Sequence, residues 1–453
     1  MRRLLRTLPP LVALALLALP AVAGAARPQL SGAHGFEPRQ LVVRFEGQGV
    51  GRVVRLGAQA EVREAAAALR RNPAVAYAAP NYIATASAIT GVPFDPDDSG
   101  AIDGPAVVAE AGKWAYRQWS FLSPEGPGTA LLPTSPGGID APGAWRTLID
   151  AGRPGGAGVV VAVLDTGIAY RSFGGRFRRS PDFSPAQFVP GYDFVGHDRL
   201  PLDENGHGTH VAGTIAEQTD NGIGLTGLAY GARLMPVRVL DRSGRGNAVQ
   251  IAKGIRFAIA NHAQVINMSF NFSCHKPVPV VDEALREAYE AGIVTVASAG
   301  NLGSEECVSA PATSPGVIGV GGTTEGGCLG SYSLAGRDID LVAPGGGVPK
   351  AGCPSVLARP IYQVTLRPGS TSSFAIPSNY VGTSMAAAHV SAAAALVLAS
   401  KAIKPGLTPR SRLDALTRRL RRTSRDLGLP ATEQGAGLID VALATEPPRR
   451  SLR

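Results

Sequence analysis

Five short apolar runs after Gly158 constrain the fold of this chain more than any other feature. They read VVVAVLD (159–165), LMPVRVL (234–240), QVINMSF (264–270), IVTVASAG (293–300) and VIGVGG (317–322). Each is rich in β-branched residues and lacks the regular polar alternation of a half-solvated strand, so each suits a strand buried on both faces. Helix-forming segments lie between or around them at 207–217, 247–262, 279–291 and 384–399. Strands alternating with helices predict an α/β fold, a doubly wound and mostly parallel sheet with helices on both faces. In such sheets the chemistry collects at the carboxyl ends of the strands.

The remainder of the chain is organised around that unit. Residues 36–84 read as a small α+β domain: a strand at QLVVRF, a helix at EVREAAAALRR, an Asn72-Pro73 turn and a strand at AVAYAA. Residues 85–140, rich in Pro, Gly, Asp and Ala, read as a linker. Within it, DPDDSGAID sets Asp95, Asp97, Ser99 and Asp103 at the spacing of half a calcium loop. Ala106 stands where that loop needs a bidentate Glu, which favours an acidic solvated turn. The first 26 residues combine early arginines, a short Leu/Ala run and an A-x-A pattern, the marks of a signal peptide. No later segment approaches a membrane span, so the mature protein is expected to be exported and free of the membrane.

A chain of 453 residues that is 45% hydrophobic and 17% charged is globular and suggests two or three units. The net charge of +9 concentrates in RSRLDALTRRLRRTSR at 410–425, an amphipathic helix pattern with Leu413, Leu416 and Leu420 inward. No aromatic residues interleave to stack on bases, so a solvated face is expected there and not a nucleic-acid site. Four cysteines, Cys274, Cys307, Cys328 and Cys353, imply two disulfides in an exported chain, and without a C-x-x-C pair they do not suggest zinc.

Three polar side chains stand where the sheet's chemistry is expected. Asp165 closes the first apolar run, His207 opens a helix between Gly206 and Gly208, and Ser384 opens another in VGTSMAAAHV. Each has a plainer reading: a turn Asp, one of two zinc-spaced histidines with His210, and a helix-capping Ser. The H-E-x-x-H pattern is absent, which disfavours the metal. An acid, an imidazole and a hydroxyl together form a nucleophilic triad: Ser needs a neutral His to take its proton, and that His needs a carboxylate to fix its tautomer.

With DTGI, NGHGTHVAG and GTSMAAAHV in that order, the chain resembles the subtilisin-like serine proteases, the subtilase family, from about Gly158 to about Ala444. The resemblance implies a peptidase domain at 141–445, followed by a basic tail at 446–453. It implies that Asp165 orients, His207 acts as base and then acid, and Ser384 attacks. Asn301, after VASAG, would complete an oxyanion hole. Ser269, Phe270 and Asn271 would pair with an extended substrate, and Ser298, Ala299 and Gly300 would line the first specificity pocket, near Glu305 and Glu306. Residues 36–84 resemble the family's inhibitory propeptide, with a cut expected between Tyr82 and Thr90 and a second conceivable near Gly137. Sequence alone allows three disulfide connectivities. Cys274–Cys307 with Cys328–Cys353 joins neighbours in the expected sheet order.

The resemblance also implies a secreted monomer that acts on proteins and peptides and needs no cofactor for catalysis. Two departures stand out. Ala388 occupies a position where the family usually has Pro, a change a helix tolerates well. The loop DFVGHDRLPLDEN, where some relatives bind calcium, has Gly196, Leu200 and Leu202 at positions needing oxygen ligands, leaving a structural calcium open. The rival readings are a non-catalytic binding protein, which loss of a triad residue would have favoured, and an esterase, which would show G-x-S-x-G.

Overall fold

The computed structural model describes residues 36–57, 60–86, 114–125, 133–272, 277–303 and 307–448. The expected signal peptide, the DPDDSGAID turn, Cys274, Glu305 and Glu306 lie outside the described residues.

The N-terminal unit runs β1 (Phe36–Phe45), β2 (Arg52–Arg55), α1 (Val62–Leu69) and β3 (Val75–Ala86). β1 pairs antiparallel with both β2 and β3. One face of this sheet buries Leu41, Val43 and Ala78 against Val62 and Ala66 of α1, a small core of its own. α2 (Trp114–Arg117) lies inside the stretch read as a linker, where Trp119, Phe121 and Ile139 are buried in the main core, and α3 (Ala141–Asp150) follows it.

The main unit then alternates as its apolar runs require. It contains β4 (Val160–Asp165), β5 (Tyr192–Asp193), α4 (His207–Ala216), β6 (Arg233–Arg238), β7 (Arg245–Asn247) and α5 (Ala248–Ala260). Next come β8 (Val265–Met268), β9 (Phe270–Phe272), α6 (Pro279–Glu290), β10 (Val294–Ser298), β11 (Val317–Thr323) and β12 (Leu341–Pro344). The chain closes with the hairpin β13 (Thr365–Leu366) and β14 (Phe374–Ala375), then α7 (Thr383–Ala399), α8 (Pro409–Thr423), α9 (Ala431–Gln434) and α10 (Val441–Thr445). Seven strands form one sheet in the order β12-β11-β10-β8-β4-β6-β5, and every pairing is parallel. β8, β10, β11 and β12 are buried at every position, the burial on both faces that their composition demands.

Three expectations are refined. QVINMSF is not one strand. Val265–Met268 stays in the parallel sheet, while Phe270–Phe272 turns away and pairs antiparallel with β3. Ser384 does not cap its helix either: α7 begins at Thr383 with Gly382 before it and no side-chain cap. The strand expected at AVAYAA runs on to Ala86: Ile83–Thr85 pair with β7 and Ala84–Ala86 with β9, so the N-terminal unit ends between two strands of the main one. Its body is held there by Arg44 and Tyr77, which reach Glu283 of α6 at 2.8 and 3.1 Å. Burial and the neighbouring Glu283 charge push the Tyr77 hydroxyl's pKa upward.

α7 explains the alanine run after Ser384. Every residue from Thr383 to Val397 is buried. Two runs of alanine, Ala386–Ala388 and Ala392–Ala395, let this helix lie close to β8, β10 and β11 on one side and α4 on another. Ala388 is fully buried inside it and the helix continues through it without interruption.

Cys328 and Cys353 form a disulfide that closes a separation of 25 residues. Chain-entropy estimates for a loop of that length give roughly 3–4 kcal/mol of stabilisation. Cys353→Ser paired with Cys328→Ser is expected to lower the stability of the Ser384→Ala protein by about that amount. Urea denaturation followed by fluorescence measures it, and a change below about 1 kcal/mol would contradict a constraining role.

Candidate active site

Asp165, the last residue of β4, and His207, the first of α4, meet with Nδ1 2.8 Å from Oδ1. The contact requires α4 to start almost on top of the β4 turn. A Cβ at Gly208 would collide with the carbonyl oxygen of Gly167, and Gly206 has a φ of 104°, a conformation suited to glycine. The Asp165 pairing places the imidazole proton on Nδ1, which leaves Nε2 as an acceptor. Nε2 is buried and has no hydrogen-bond partner.

Asp203 underlies this arrangement and was not legible as a site residue. It is fully buried and accepts from Thr166 Oγ1 (2.9 Å), Thr209 Oγ1 (2.6 Å) and the backbone N–H groups of Asn205 (2.9 Å) and Gly206 (3.0 Å). It therefore ties the β4 turn to the first turn of α4. The available signal was an acid four residues before His207, in a stretch with no apolar period to explain it.

Burial lowers the His207 pKa, but the Asp165 charge and hydrogen bond, with Asp203 adding, outweigh it and hold it above the usual 6.5. Among the described residues, the other two buried histidines go the other way. His210 bonds the Ile361 carbonyl through Nε2 at 3.0 Å, stacks on Tyr380 at 4.0 Å, and is held down to about 3 by burial. His389 sits between the Met385 carbonyl (2.8 Å) and Ser120 Oγ (3.0 Å) and is held down to about 4, also by burial. His207 Nδ1 and His210 Nε2 are thus engaged, whereas His207 Nε2 and His210 Nδ1 are buried without a hydrogen-bond partner.

Ser384 lies in the first turn of α7, which packs beside α4. Its Oγ donates to the Ser269 carbonyl at 3.0 Å, while Ser269 Oγ donates to the Ser384 carbonyl at 2.9 Å. The Ser–His hydrogen bond of a triad is thus not formed in this conformation. Asn267 Nδ2 holds Ser269 Oγ (3.0 Å), and Ser391 holds Asn267 (2.8 Å), so α7 is pinned to the β8–β9 junction by a buried polar chain. Asn301 Oδ1 accepts from both Thr383 N and Thr383 Oγ1 at 2.9 Å, and Gly300 N donates to Thr383 Oγ1 at 3.2 Å. The amide of Asn301 is thereby fixed one residue from Ser384 with Nδ2 as its donor end.

Phe270 and Asn271, with Phe272, form the edge on which Ala84–Ala86 pairs, Ser269 lies one residue outside that register, and Ser298, Ala299 and Gly300 leave the end of the adjacent strand β10. In the 193–205 loop, Asp193 accepts from the N–H groups of Val195 and Gly196, both at 2.7 Å, and pairs with Arg238 at 3.2 Å. With Asp203 engaged as described, this loop is held by hydrogen bonds. At the other end of α4, Glu217 is fully buried with neither carboxylate oxygen bonded, and burial plus Asp182 raise its pKa well above normal. Among the described residues no group of three or more acidic, His or Cys side chains is placed to hold a metal ion.

Comparison with known proteins gives the chain a family. The Subtilase family matches residues 156–437. A thermophilic serine proteinase of Bacillus sp. (strain AK1) is 34% identical over 278 residues, covering 61% of this chain and 57% of that protein. An extracellular protease of Xanthomonas campestris pv. campestris is 33% identical over 353 residues, covering 69% of this chain and 54% of its own length. The chain thus spans little more than half of either relative. Among solved structures, a protease from Pseudoalteromonas arctica PAMC 21717 is 33% identical with a TM-score of 0.54, covering 68% of this chain and 94% of that one. The chain belongs to the subtilase family.

The three histidines should separate on titration. Nitrogen-15 NMR of the Ser384→Ala protein is expected to show His207 still partly protonated above pH 6.5, because its charged form is stabilised. His210 and His389 should stay neutral at pH 5, because their charged forms are disfavoured. A His207 midpoint below 6.5 would contradict the Asp165 contact.

Proposed function

We propose that this chain is a secreted serine endopeptidase, made as a precursor that cuts off its own N-terminal unit. The observation that carries the reading is the buried Asp165–His207 pair with Nε2 open as an acceptor, beside the helix turn that holds Ser384. Rotation of the Ser384 hydroxyl from the Ser269 carbonyl to Nε2 completes the triad. Oγ then attacks the scissile carbonyl while its proton passes to Nε2. The oxyanion is held by Asn301 Nδ2 and the Ser384 N–H, His207 protonates the departing amine, and water attacks the acyl-enzyme by the same base. No cofactor takes part.

The autoprocessing reading draws support from the ladder. Ala86 lies opposite Phe270, one residue short of Ser269, whose carbonyl accepts from the nucleophile. The cut is therefore proposed at the next bond along, Ser87–Ala88, within the expected Tyr82–Thr90 window. Extended pairing on both edges suits any peptide backbone, and covalent attachment gives the tail a high effective concentration.

Ser384→Ala should lower kcat by several orders of magnitude and retain residues 36–84 on secretion, whereas wild type starts near Ala88. Asn301→Ala should lower kcat roughly 10²–10³-fold. N-terminal sequencing and a fluorophosphonate probe read these outcomes, and normal maturation of Ser384→Ala in a protease-free host would refute the autoprocessing. The acid limb of kcat/KM should have its midpoint above 6.5, because the base works only when neutral and its pKa is raised. A matched peptide and ester panel separates peptidase from esterase.

A further inference from the structure

The pocket expected to take the side chain before the scissile bond lies between two walls. On one side runs β9, whose residues pair with the tail, Thr85 opposite Asn271 and Ala86 opposite Phe270. On the other, Ser298, Ala299 and Gly300 leave β10. Ser309 N donates to the Ala299 carbonyl at 3.1 Å and Phe272 N to the Ala310 carbonyl at 2.8 Å, so the segment around Ser309 and Ala310 ties both walls together. Ser298, Ala299 and Ala310 are buried, and all are small.

Asn271 crosses from the first wall to the second. Its Nδ2 donates to the Ser298 carbonyl at 2.5 Å, and its Oδ1 accepts from Ser298 Oγ at 3.2 Å. Both ends of one carboxamide are thus bonded to a single, fully buried residue of the opposite wall, which leaves this side chain little freedom to swing aside. A long side chain entering between the walls has to displace it and break both bonds.

We propose that Asn271 is the specificity-determining residue of this site and restricts the position before the scissile bond to small side chains such as Ala, Ser and Thr. This rests on the protease reading above and adds the substrate class to it. The chain's own tail agrees: from Ala84 to Ala88 it reads ATASA, with nothing larger than Thr. Disrupting one hydrogen-bonded buried pair corresponds to roughly 10–100-fold in kcat/KM against a bulky residue.

The test compares two tetrapeptide substrates that differ only in Ala or Phe before the scissile bond. Wild type, Asn271→Gly and Asn271→Ser are assayed, each normalised by fluorophosphonate active-site titration so that misfolded material is not counted. The readout is the ratio of the two kcat/KM values, which a general loss of structure would lower in both substrates alike. Wild type should favour Ala by at least 10-fold, and either variant should shift the ratio toward Phe by at least 10-fold. A wild-type preference for Phe, or a ratio unmoved in both variants, overturns the proposal while leaving the protease reading intact. Labelling at Ser384 without cleavage of either peptide, or of a peptide library, would instead count against the protease reading itself.

Discussion

An imidazole held 2.8 Å from a carboxylate, with both groups almost wholly out of water, is the constraint on which the rest of this structure depends. In a medium of low dielectric such a contact leans on the donors around the carboxylate, since Asp165 Oδ2 and His207 Nε2 themselves have no hydrogen-bond partner. Asp165 Oδ1 also accepts from Thr166 N at 2.7 Å, and Thr166 Oγ1 in turn receives Gly208 N at 3.0 Å and donates to Asp203. The β4 turn and the first turn of α4 are therefore one hydrogen-bonded object. The glycines on either side of His207 belong to the same object, since backbone atoms, not side chains, must occupy the space between helix and strand. A Cβ at 208 would separate the pair it serves.

The second half of the site is fixed by packing. α7 contributes almost no polar surface, so a helix of this composition has nowhere to go but the centre of the molecule. Its alanines let it approach the sheet closely, and the Ser391–Asn267–Ser269 chain sets its rotation. Hydrophobic burial decides that α7 is inside, and three hydrogen bonds decide which turn faces β9. The same division of labour holds Asn301: burial of Ser298 and Ala299 carries the strand to the right level, and Thr383 orients the amide.

The parallel sheet was legible because strands buried on both faces leave a strong compositional trace, and each of the five runs became a strand. What left no trace were the two outer strands. β5 has two residues, and β12 four that include Pro344, too few to show a period. The break within QVINMSF was invisible for a different reason. Ser269 looks like any strand residue until Ser384, 115 positions later, occupies both its hydroxyl and its carbonyl. Ser384 itself read equally well as a cap, because a capping hydroxyl and a nucleophilic one differ only in what stands across from them. Asp203 was missed likewise: its four partners come from two segments that only the fold brings together. The disulfide between Cys328 and Cys353 agrees with the neighbour-joining expectation, whereas Cys274 falls outside the described residues.

The N-terminal unit holds on by two unlike contacts, and their difference bears on how the proposed enzyme would be released. The tail occupies β7 and β9 with main-chain pairing; on the proposed reading these are the groups a substrate would use, so tail and substrate would exclude each other. The body rests on α6 through Arg44, Tyr77 and Glu283, away from those edges. Cutting after the tail removes its covalent advantage but breaks neither contact. The body's ion pair is partly buried and keeps the tail near its strands. On the proposed reading, hydrolysis of the linker is therefore not sufficient for activity: the freed unit must also leave or be destroyed. An N-terminal unit whose own core is seven buried residues, against a main core many times larger, is the partner that would unfold first.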